Sequence, residues 1–510
     1  MSISFRRENM MFDDYIGVDS TPVFTQEAGN QKRKYLLWGD GVTIIQPGAS
    51  RTKIRARGRN SEGWIQTSAL GGQSLLEYYF IDVGQGDGVL IKTPDFKHIM
   101  IDGGYPRDHQ DTGKSAADFV DWKFYEDYDK DDIKIDAMIA THCDADHYGG
   151  LWDLLNTAAS NELDANRVFV KAFYHAGLGR WRKLGGGSGN WLGPYTNHNG
   201  EDYFTQLNGD RNAVIPCLTG GPDPQLQGWW KAFFETVLAA RWANYHPTTI
   251  HRLSQRTQYL PGFSPNGSDP VVQVLAPVEQ DINGQPGIKR FTGGDSINTN
   301  GNSILLRVDY GQTRTLLTGD LNKKSMKALW EDYSGNRQEF ACDVAKACHH
   351  GSDDISYTFL RGMNPAVTII SSGDNEKHDH PRPNILAASA TTGYYQEHND
   401  ELISPLIYST ELARSVSFGD PFQLDEKDTQ GTVTNTIDGA PFDRAAIHFK
   451  EMKPGDLNPT TKSKTMRHTR VVSGLVYGLV NVRTDGQKIL CAIMNEKNGS
   501  WQTQTLQSRF

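Results

Sequence analysis

The chain has 510 residues, of which 37% are hydrophobic and 22% are charged, and its formal net charge is −9. This composition is typical of a soluble globular protein, and the length predicts two or three structural units. The negative charge excludes wholesale adsorption to nucleic acid or to an anionic membrane but leaves room for a locally basic groove. No apolar run approaches the ~20 residues needed to span a bilayer.

The N-terminus and the cysteines predict the compartment. The first nine residues contain no apolar stretch of the kind found in secretory signals, so we expect no such signal. The cysteines are few, scattered and odd in number, which is typical of reduced thiols. We therefore expect a cytoplasmic protein without a membrane partner. The cysteines are Cys143, Cys217, Cys342, Cys348 and Cys491.

The first seventy residues divide into two parts. Residues 1–30 are polar and weakly patterned, which predicts a flexible arm. Residues 31–72 contain short alternating segments separated by glycines and ending in Gly63-Trp64-Ile65, which predicts a small all-β barrel. This segment resembles bacterial Src-homology-3-like domains. The resemblance implies either a module that docks a peptide or protein partner or a structural cap on the larger domain.

Strand and helix patterns alternate from residue 73 to about 430, which predicts an α/β domain. A Gly- and Trp-rich stretch at about 175–270 is too long for a simple connection, so we interpret it as an insertion. Within it, Arg180-Trp181-Arg182-Lys183 precede Gly185-Gly186-Gly187, and Trp191 follows. These side chains either stack nucleic-acid bases or form a small core of the insertion. Residues 431–510 predict a β-rich C-terminal extension.

The densest set of candidate ligands follows the apolar segment that ends at Ala140. His142, Asp144, Asp146 and His147 lie within six residues, just before Gly149-Gly150. Imidazoles and carboxylates grouped at a strand end predict a site for a divalent cation. The alternative is a polar turn in which an Asp caps the next helix, but a cap needs one such side chain and not four. Cys143 is interpreted as inert, because its side chain should point away from its neighbours.

Further candidate ligands follow apolar segments downstream. Asp320 follows Thr315-Leu316-Leu317, the pair His349-His350 follows Val344-Ala345-Lys346-Ala347, and His380 follows another apolar run. Each is weak evidence alone, since a Gly-Asp pair is usually a turn. Together they predict that several strand ends converge on one metal centre.

In this order the motifs are similar to those of metallo-β-lactamase-fold hydrolases, in the branch that contains the soluble hydrolase domain of the DNA-uptake protein ComEC. The resemblance spans about residues 80–385 and implies a four-layer αββα sandwich with a metal centre at one edge of its two sheets. The matching motifs are Phe80-Ile81-Asp82-Val83-Gly84-Gln85-Gly86-Asp87, Ile101-Asp102-Gly103-Gly104, Thr141 to Gly150, Asn302-Ser303, Leu317-Thr318-Gly319-Asp320, His349-His350-Gly351-Ser352 and His380-Pro381.

The resemblance also implies a ligand set. His142 and Asp144 would hold one metal, Asp146 and His147 the second, and Asp320 would bridge them. The last histidine ligand is His349, His350 or His380; we favour the His349-His350 pair, with His380 aimed at the substrate or leaving group. Asp87 and Asp102 are expected to order the ligand loops, unless they are simple turn caps.

The chain departs from the general HxHxDH pattern of this family in two respects. Asp144 replaces the second histidine, which shifts the preference from zinc towards manganese or magnesium. Around Asn302-Ser303, no histidine precedes the bridging Asp320, so one metal position is expected to be weaker or partly ligated by water.

Two such ions about 4 Å apart would activate a shared water as hydroxide. We therefore expect a phosphodiesterase or nuclease acting on nucleic acid or nucleotides, with Asp146, Asp320 and His380 as catalytic residues. The alternatives are hydrolysis of a carbonyl substrate (lactone, thioester or amide) and a binding or regulatory role based on the barrel.

Overall fold

The computed structural model describes residues 12–56, 61–109, 113–156, 162–183, 190–221, 223–265, 269–372, 380–410, 417–419, 423–438, 446–451, 460–465, 471–473, 478–495 and 500–510. The Gly185-Gly186-Gly187 segment lies outside the described residues. Contacts divide the chain into a larger unit, Met1–Glu411 with Tyr477–Phe510, and a smaller unit, Leu412–Val476.

The N-terminal segment forms a six-stranded sheet in the order β1-β4-β5-β6-β2-β3. Alternate residues of its strands point into a small apolar core that contains Val23, Ile54 and Ile65. Two strands of this sheet lie within residues 1–30, so the prediction of a flexible arm is corrected from Asp14 onward. The strands are β1 Asp14–Tyr15, β2 Ser20–Phe24, β3 Lys32–Leu37, β4 Gly41–Gln46, β5 Arg51–Ala56 and β6 Glu62–Gln66.

The next segment alternates strands and helices and builds the centre of a nine-stranded sheet. β9, β10 and β11 are parallel neighbours, whereas β7, β8 and β9 pair antiparallel. The elements are β7 Leu76–Phe80, β8 Val89–Lys92, β9 His98–Ile101, α1 Ala116–Trp122, β10 Asp132–Ala140, α2 Ala145–Leu155 and β11 Arg167–His175.

The predicted insertion contains short strands and two helices. It returns to the nine-stranded sheet through β16, which pairs in parallel with β11. β17 then begins the second large sheet, and β14, β15, β18 and β19 form a small sheet of their own. The elements are β12 Trp181–Arg182, β13 Asn190–Trp191, β14 Tyr195–His198, β15 Glu201–Phe204, α3 Arg211–Leu218, α4 Gly228–Ala239, β16 Thr249–Arg252, β17 Val271–Ala276, β18 Glu279–Ile282 and β19 Gln285–Lys289.

The second large sheet has six strands in the order β17-β20-β21-β22-β23-β26. β21, β22, β23 and β26 are parallel, so their carboxyl ends share one edge of the sheet. The elements are α5 Asp295–Gly301, β20 Leu305–Tyr310, β21 Thr313–Leu317, α6 Lys323–Asp332, β22 Val344–Lys346, α7 Tyr357–Met363, β23 Val367–Ile370, α8 Pro383–Thr392, β24 Gln396–His398, β25 Glu401–Ser404 and β26 Leu406–Ser409.

The C-terminal region divides between the two units. The described residues of the smaller unit include three pairs of antiparallel strands, whereas the last three strands of the chain extend the nine-stranded sheet, because β33 pairs with β7. The prediction of one separate extension over residues 431–510 is therefore corrected. The strands are β27 Ser417–Gly419, β28 Gln423–Lys427, β29 Val433–Asp438, β30 Ala446–Glu451, β31 Thr460–Thr465, β32 Val471–Ser473, β33 Val480–Thr484, β34 Lys488–Asn495 and β35 Ser500–Gln507.

Alternation along the strands places apolar side chains on both faces of each large sheet. In β7, Tyr78 and Phe80 join a cluster shared with β17, β20 and β23, whereas Tyr79 faces a second cluster that includes side chains of α1, α2 and α4. A third cluster joins the other face of the six-stranded sheet to α6, α7 and α8. The mixed α/β class is confirmed. No helix within the described ranges is long and apolar enough to cross a membrane.

A buried ionic network connects the N-terminal sheet to the nine-stranded sheet. Arg483, on β33, donates hydrogen bonds to the carbonyl of Trp38, at 2.7 Å, and to the carboxylate of Asp40. Its other terminal nitrogen lies 3.6 Å from Glu77, which also accepts a 2.7 Å hydrogen bond from Lys92. Since these charges are buried, each depends on its partners for compensation.

We expect Arg483→Ala to lower the free energy of unfolding by about 3–5 kcal/mol, because it leaves buried carboxylates without a cation. Urea denaturation would measure the change. Arg167→Ala is the control, since it removes an exposed pair with Asp132 and should barely move the midpoint. Equal midpoints for the two variants would contradict this account.

Candidate metal centre

The ends of three strands, which belong to two different sheets, bring the predicted ligands together. β10 ends at Ala140 and delivers His142, after which α2 begins and carries Asp146 and His147 in its first turns. Asp144 is the N-cap residue of α2, but its side chain makes no capping hydrogen bond. The two carboxylate oxygens of Asp144 instead meet Arg180 and Thr299.

The second sheet contributes the turns after β21 and β22. Asp320 follows β21 through Gly319, whose φ of +51° lies in the left-handed region. A Cβ at Gly319 would lie 2.8 Å from Cβ of Ser303, so this close approach requires glycine. His349 and His350 follow β22 in one tight turn and also have positive φ angles, of 47° and 52°. This unusual backbone turns both imidazoles towards the same edge of the sheet.

Donor atoms of four residues, Asp320 among them, lie close together. Its Oδ2 lies 3.2 Å from Nε2 of His147 and 3.0 Å from Nε2 of His350. The two imidazole nitrogens are 3.2 Å apart, and Oδ2 of Asp146 lies 3.8 Å from Nε2 of His350. Among the three candidate last histidines, His350 is the one that the structure places in this group.

Two further aspartates hold the ring nitrogens that face away from this group. Oδ2 of Asp102 lies 2.8 Å from Nδ1 of His147, and it also accepts a hydrogen bond from Thr141. Oδ1 of Asp87 lies 3.1 Å from Nδ1 of His350. Such carboxylate–imidazole contacts fix the orientation of metal-ligating histidines.

Asp87 also lies in a buried group with His147, Asp320 and His350, whose ligating atoms are all within 4.8 Å of one another. Because Asp87 contacts the far nitrogen of His350 and the ammonium of Lys346, we interpret it as a supporting residue. Asp146 is the better fourth donor, since its oxygen approaches Nε2 of His350.

Lys346 is a residue of this centre that the sequence did not indicate. Its ammonium pairs with Asp87, lies 3.7 Å from Oδ1 of Asp320 and donates a 2.9 Å hydrogen bond to the Gly319 carbonyl. The available signal was a lysine within the apolar segment Val344-Ala345-Lys346-Ala347. A buried lysine there needs a carboxylate partner.

The charged side chains of this group shift one another's pKa values. Burial would lower the pKa of His350, but the carboxylates of Asp320 and Asp87 outweigh burial and raise that pKa to about 10. Burial would also lower the pKa of His147, but the carboxylates of Asp320 and Asp102 raise that pKa well above its usual value. Burial would raise the pKa of Asp320, but His350 and His147 hold it well below its usual value. The carboxylates are thus stabilised by nearby positive charge, which a divalent cation can supply.

A second group of predicted ligands lies beside the first. Nε2 of His142 is 3.6 Å from Oδ2 of Asp144. Nδ1 of His142 contacts the hydroxyls of Thr141 and Ser303, at 3.1 and 3.3 Å. Nε2 of His349 lies 3.9 Å from Oδ2 of Asp320, on the exposed side of the centre. These atoms border a second position where a cation could bind.

Orphaned polar atoms provide a test of whether the residues fit metal ions. Nε2 of His142 and Oδ1 of Asp320 are buried and make no hydrogen bond with any residue that the structure describes. Buried polar atoms normally have partners, so these two fit the role of metal ligands. Cys143 does not: it packs in an apolar cluster, and burial raises the pKa of its thiol to about 12.

The insertion reaches the centre through Arg180. Its guanidinium pairs with Oδ1 of Asp144, while Oδ2 of Asp144 accepts a 2.7 Å hydrogen bond from Thr299. Trp181, in contrast, is fully buried in the cluster of α4. Trp181 is therefore part of a core, as one of the two interpretations of the insertion expected.

Asn302 and His380 complete the predicted site residues. The side-chain amide of Asn302 donates hydrogen bonds to the carbonyls of Lys289 and Asn298, at 3.0 and 2.9 Å. Asn302 therefore stabilises the backbone of this loop. The His380 ring centroid lies 5.8 Å from that of His349 and 6.4 Å from that of His350. His380 thus borders the centre without joining its four converging donors.

Part of the chain is similar to known proteins. Residues 81–189 match the model of the metallo-beta-lactamase superfamily. This segment thus resembles a domain of that superfamily. The chain is 31% identical over 125 residues to competence protein ComA of Neisseria gonorrhoeae, which covers 24% of this chain and 16% of that protein. It is 30% identical over 93 residues to ComE operon protein 3 of Bacillus subtilis, covering 18% of this chain and 12% of that protein. The matches thus span less than a fifth of either relative.

Segments of the chain therefore resemble parts of competence protein ComA and ComE operon protein 3, as the motifs predicted. The family match includes Asp87, Asp102 and the residues from His142 to His147, which follow strands of the nine-stranded sheet. Asp320 and His350 lie beyond residue 189, and their distances to His147 place them in the same group.

We expect removal of the shared carboxylate to cost more metal than removal of a terminal ligand. Asp320→Ala should abolish binding of both ions, whereas Asp146→Ala or His350→Ala should lose one, because Asp320 lies near histidines of both groups, His350 and His349. Metal content after dialysis against manganese or zinc, measured by elemental analysis, would report the stoichiometry. Full occupancy in Asp320→Ala would contradict the assignment.

Proposed function

We propose that this chain is a phosphodiesterase that acts on nucleic acid or nucleotides with two divalent ions. The observation that carries the proposal is the donor set, in which three carboxylates, of Asp144, Asp146 and Asp320, lie beside the histidines of the two groups. Carboxylate donors favour manganese or magnesium over zinc, and such hard cations suit phosphate oxygens. The likeness to a competence protein supports a nucleic-acid substrate.

The residues of the centre have separate roles in this proposal. When bound, the ions would activate a water and neutralise charge on the phosphoryl group. His142 and Asp144 would hold one ion, Asp146, His147 and His350 the other, and Asp320 would face both. Asp102 and Asp87 keep the two buried imidazoles in the orientation that ligation needs.

We also propose a layer arrangement for the large sheets and a fold for the N-terminal segment. The three apolar clusters support a four-layer αββα sandwich, since one lies between the large sheets and the others lie against helices. The run of six antiparallel strands supports a Src-homology-3-like barrel that docks a protein or peptide partner. A cytoplasmic location remains a prediction from the sequence.

The first test is metal-dependent cleavage. Metal-stripped protein resupplied with manganese, zinc or magnesium should cleave bis-p-nitrophenyl phosphate and DNA or RNA. Asp146→Ala should lower the rate by about two to three orders of magnitude, as expected when transition-state charge loses its stabilisation. Hydrolysis of lactones, thioesters or amides instead would favour a carbonyl substrate. Protein that binds no metal would favour a docking role for the chain.

A second prediction concerns His380, which we propose protonates the leaving oxygen. His380→Ala should slow cleavage of DNA about a hundredfold, the size of a typical general-acid contribution. It should slow cleavage of bis-p-nitrophenyl phosphate much less, because p-nitrophenolate leaves as a stable anion. Steady-state rates on the two substrates measure this split, and an equal loss on both would rule out the role.

A further inference from the structure

A cavity of about 330 Å³ lies between the insertion and residues 143–145, which we call the metal loop. Asp144 is part of its lining, so the cavity opens next to the proposed metal centre. Arg180 and the first turn of α4, which begins at Gly228, form other parts of the wall. A volume of this size accommodates a small ligand or one unit of a polymer.

The two tryptophans at the start of α4 have different environments. Trp230 is 1% exposed and packs against Tyr148 with ring centroids 4.9 Å apart. Trp229 is 37% exposed and meets Tyr105 and His109 in edge contacts, at 6.1 and 4.4 Å. Trp230 belongs to the core, whereas Trp229 offers a large aromatic surface at the cavity.

Arg180 adds positive charge at the side nearest the metal loop. Its guanidinium pairs with Asp144 and lies 3.8 Å from Asp295, so its position is fixed from two directions. An aromatic surface beside a fixed guanidinium is the combination that binds a base together with its phosphate.

We propose that this cavity is a nucleobase subsite, in which an unpaired base next to the scissile phosphodiester stacks on Trp229. The inference rests on the proposed function and specifies its substrate as a single strand or a strand end. Bases inside a duplex are already stacked and paired, so they reach such a site only after unpairing, which has a free-energy cost.

The test measures binding without cleavage. Metal-stripped full-length protein is titrated with a fluorescein-labelled oligothymidylate, and with the same oligonucleotide annealed to its complement. We expect Trp229→Ala to weaken single-strand binding about tenfold, within the range of one base–aromatic stack. Trp229→Phe should restore most of the affinity, since it keeps an aromatic ring.

Trp122→Ala is the matched control. Trp122 is also an exposed tryptophan, 50% exposed, but it lies on α1 outside this cavity, and its removal should leave the affinity unchanged. An oligonucleotide carrying 5-iodouracil should photo-crosslink to the peptide that contains Trp229, which tests the site in the unmutated protein. Unchanged affinity in Trp229→Ala, crosslinks elsewhere, or no binding to the unmutated protein would overturn the subsite.

The outcomes separate this inference from the proposed function. Metal-dependent cleavage that does not depend on Trp229 would overturn the subsite and leave the phosphodiesterase. Trp229-dependent binding without any cleavage would count against the phosphodiesterase and leave a nucleic-acid binding site.

Discussion

The buried carboxylate of Asp320 is the group on which the rest of the centre depends. It lies where the turns of two sheets meet, within 3.2 Å of one imidazole from each sheet. A buried carboxylate without cations nearby would be strongly unfavourable. His147, His350 and Lys346 are therefore held around it, and two further aspartates balance these cations in turn.

This balance explains why the supporting residues are as buried as the ligands themselves. Asp102 also accepts a hydrogen bond from the backbone of Thr141, at 2.8 Å, so it fixes the loop as well as the ring of His147. Asp87 divides its carboxylate between His350 and Lys346. Loss of either aspartate would free an imidazole to rotate, and the donor atoms would no longer converge.

Much of the centre could be predicted from the sequence, because its ligands come directly after apolar strands. The cluster around His142 and the isolated Asp320 both follow this rule. Lys346 and Arg180 could not be assigned in this way, since their roles depend on partners that lie far away in the chain. The pairing of β33 with β7 could not be predicted for the same reason. It joins residues about four hundred positions apart, and no local pattern encodes that contact.

The N-terminal residues show a different limit. Ser20–Phe24 is a strand although its Pro22 and short length resemble a loop, because Val23 and Phe24 are buried by partners that come later in the sequence. Local propensity was outweighed there by tertiary packing. The local sequence likewise could not decide whether His349 or His350 is the ligand. The two histidines are adjacent in one tight turn, and they differ in the direction in which their side chains point.

Asp144 links the metal centre to the insertion, and this link bears on both metal and substrate. A carboxylate makes the metal position at His142 and Asp144 harder than the histidine of the general family pattern would. Arg180 shares that carboxylate's charge, so the position attracts a cation less strongly than a free aspartate would. The same guanidinium lies in the wall of the neighbouring cavity. One ion pair thus weakens the metal position at Asp144 and fixes a hydrogen-bond donor in the wall that meets the proposed anionic substrate.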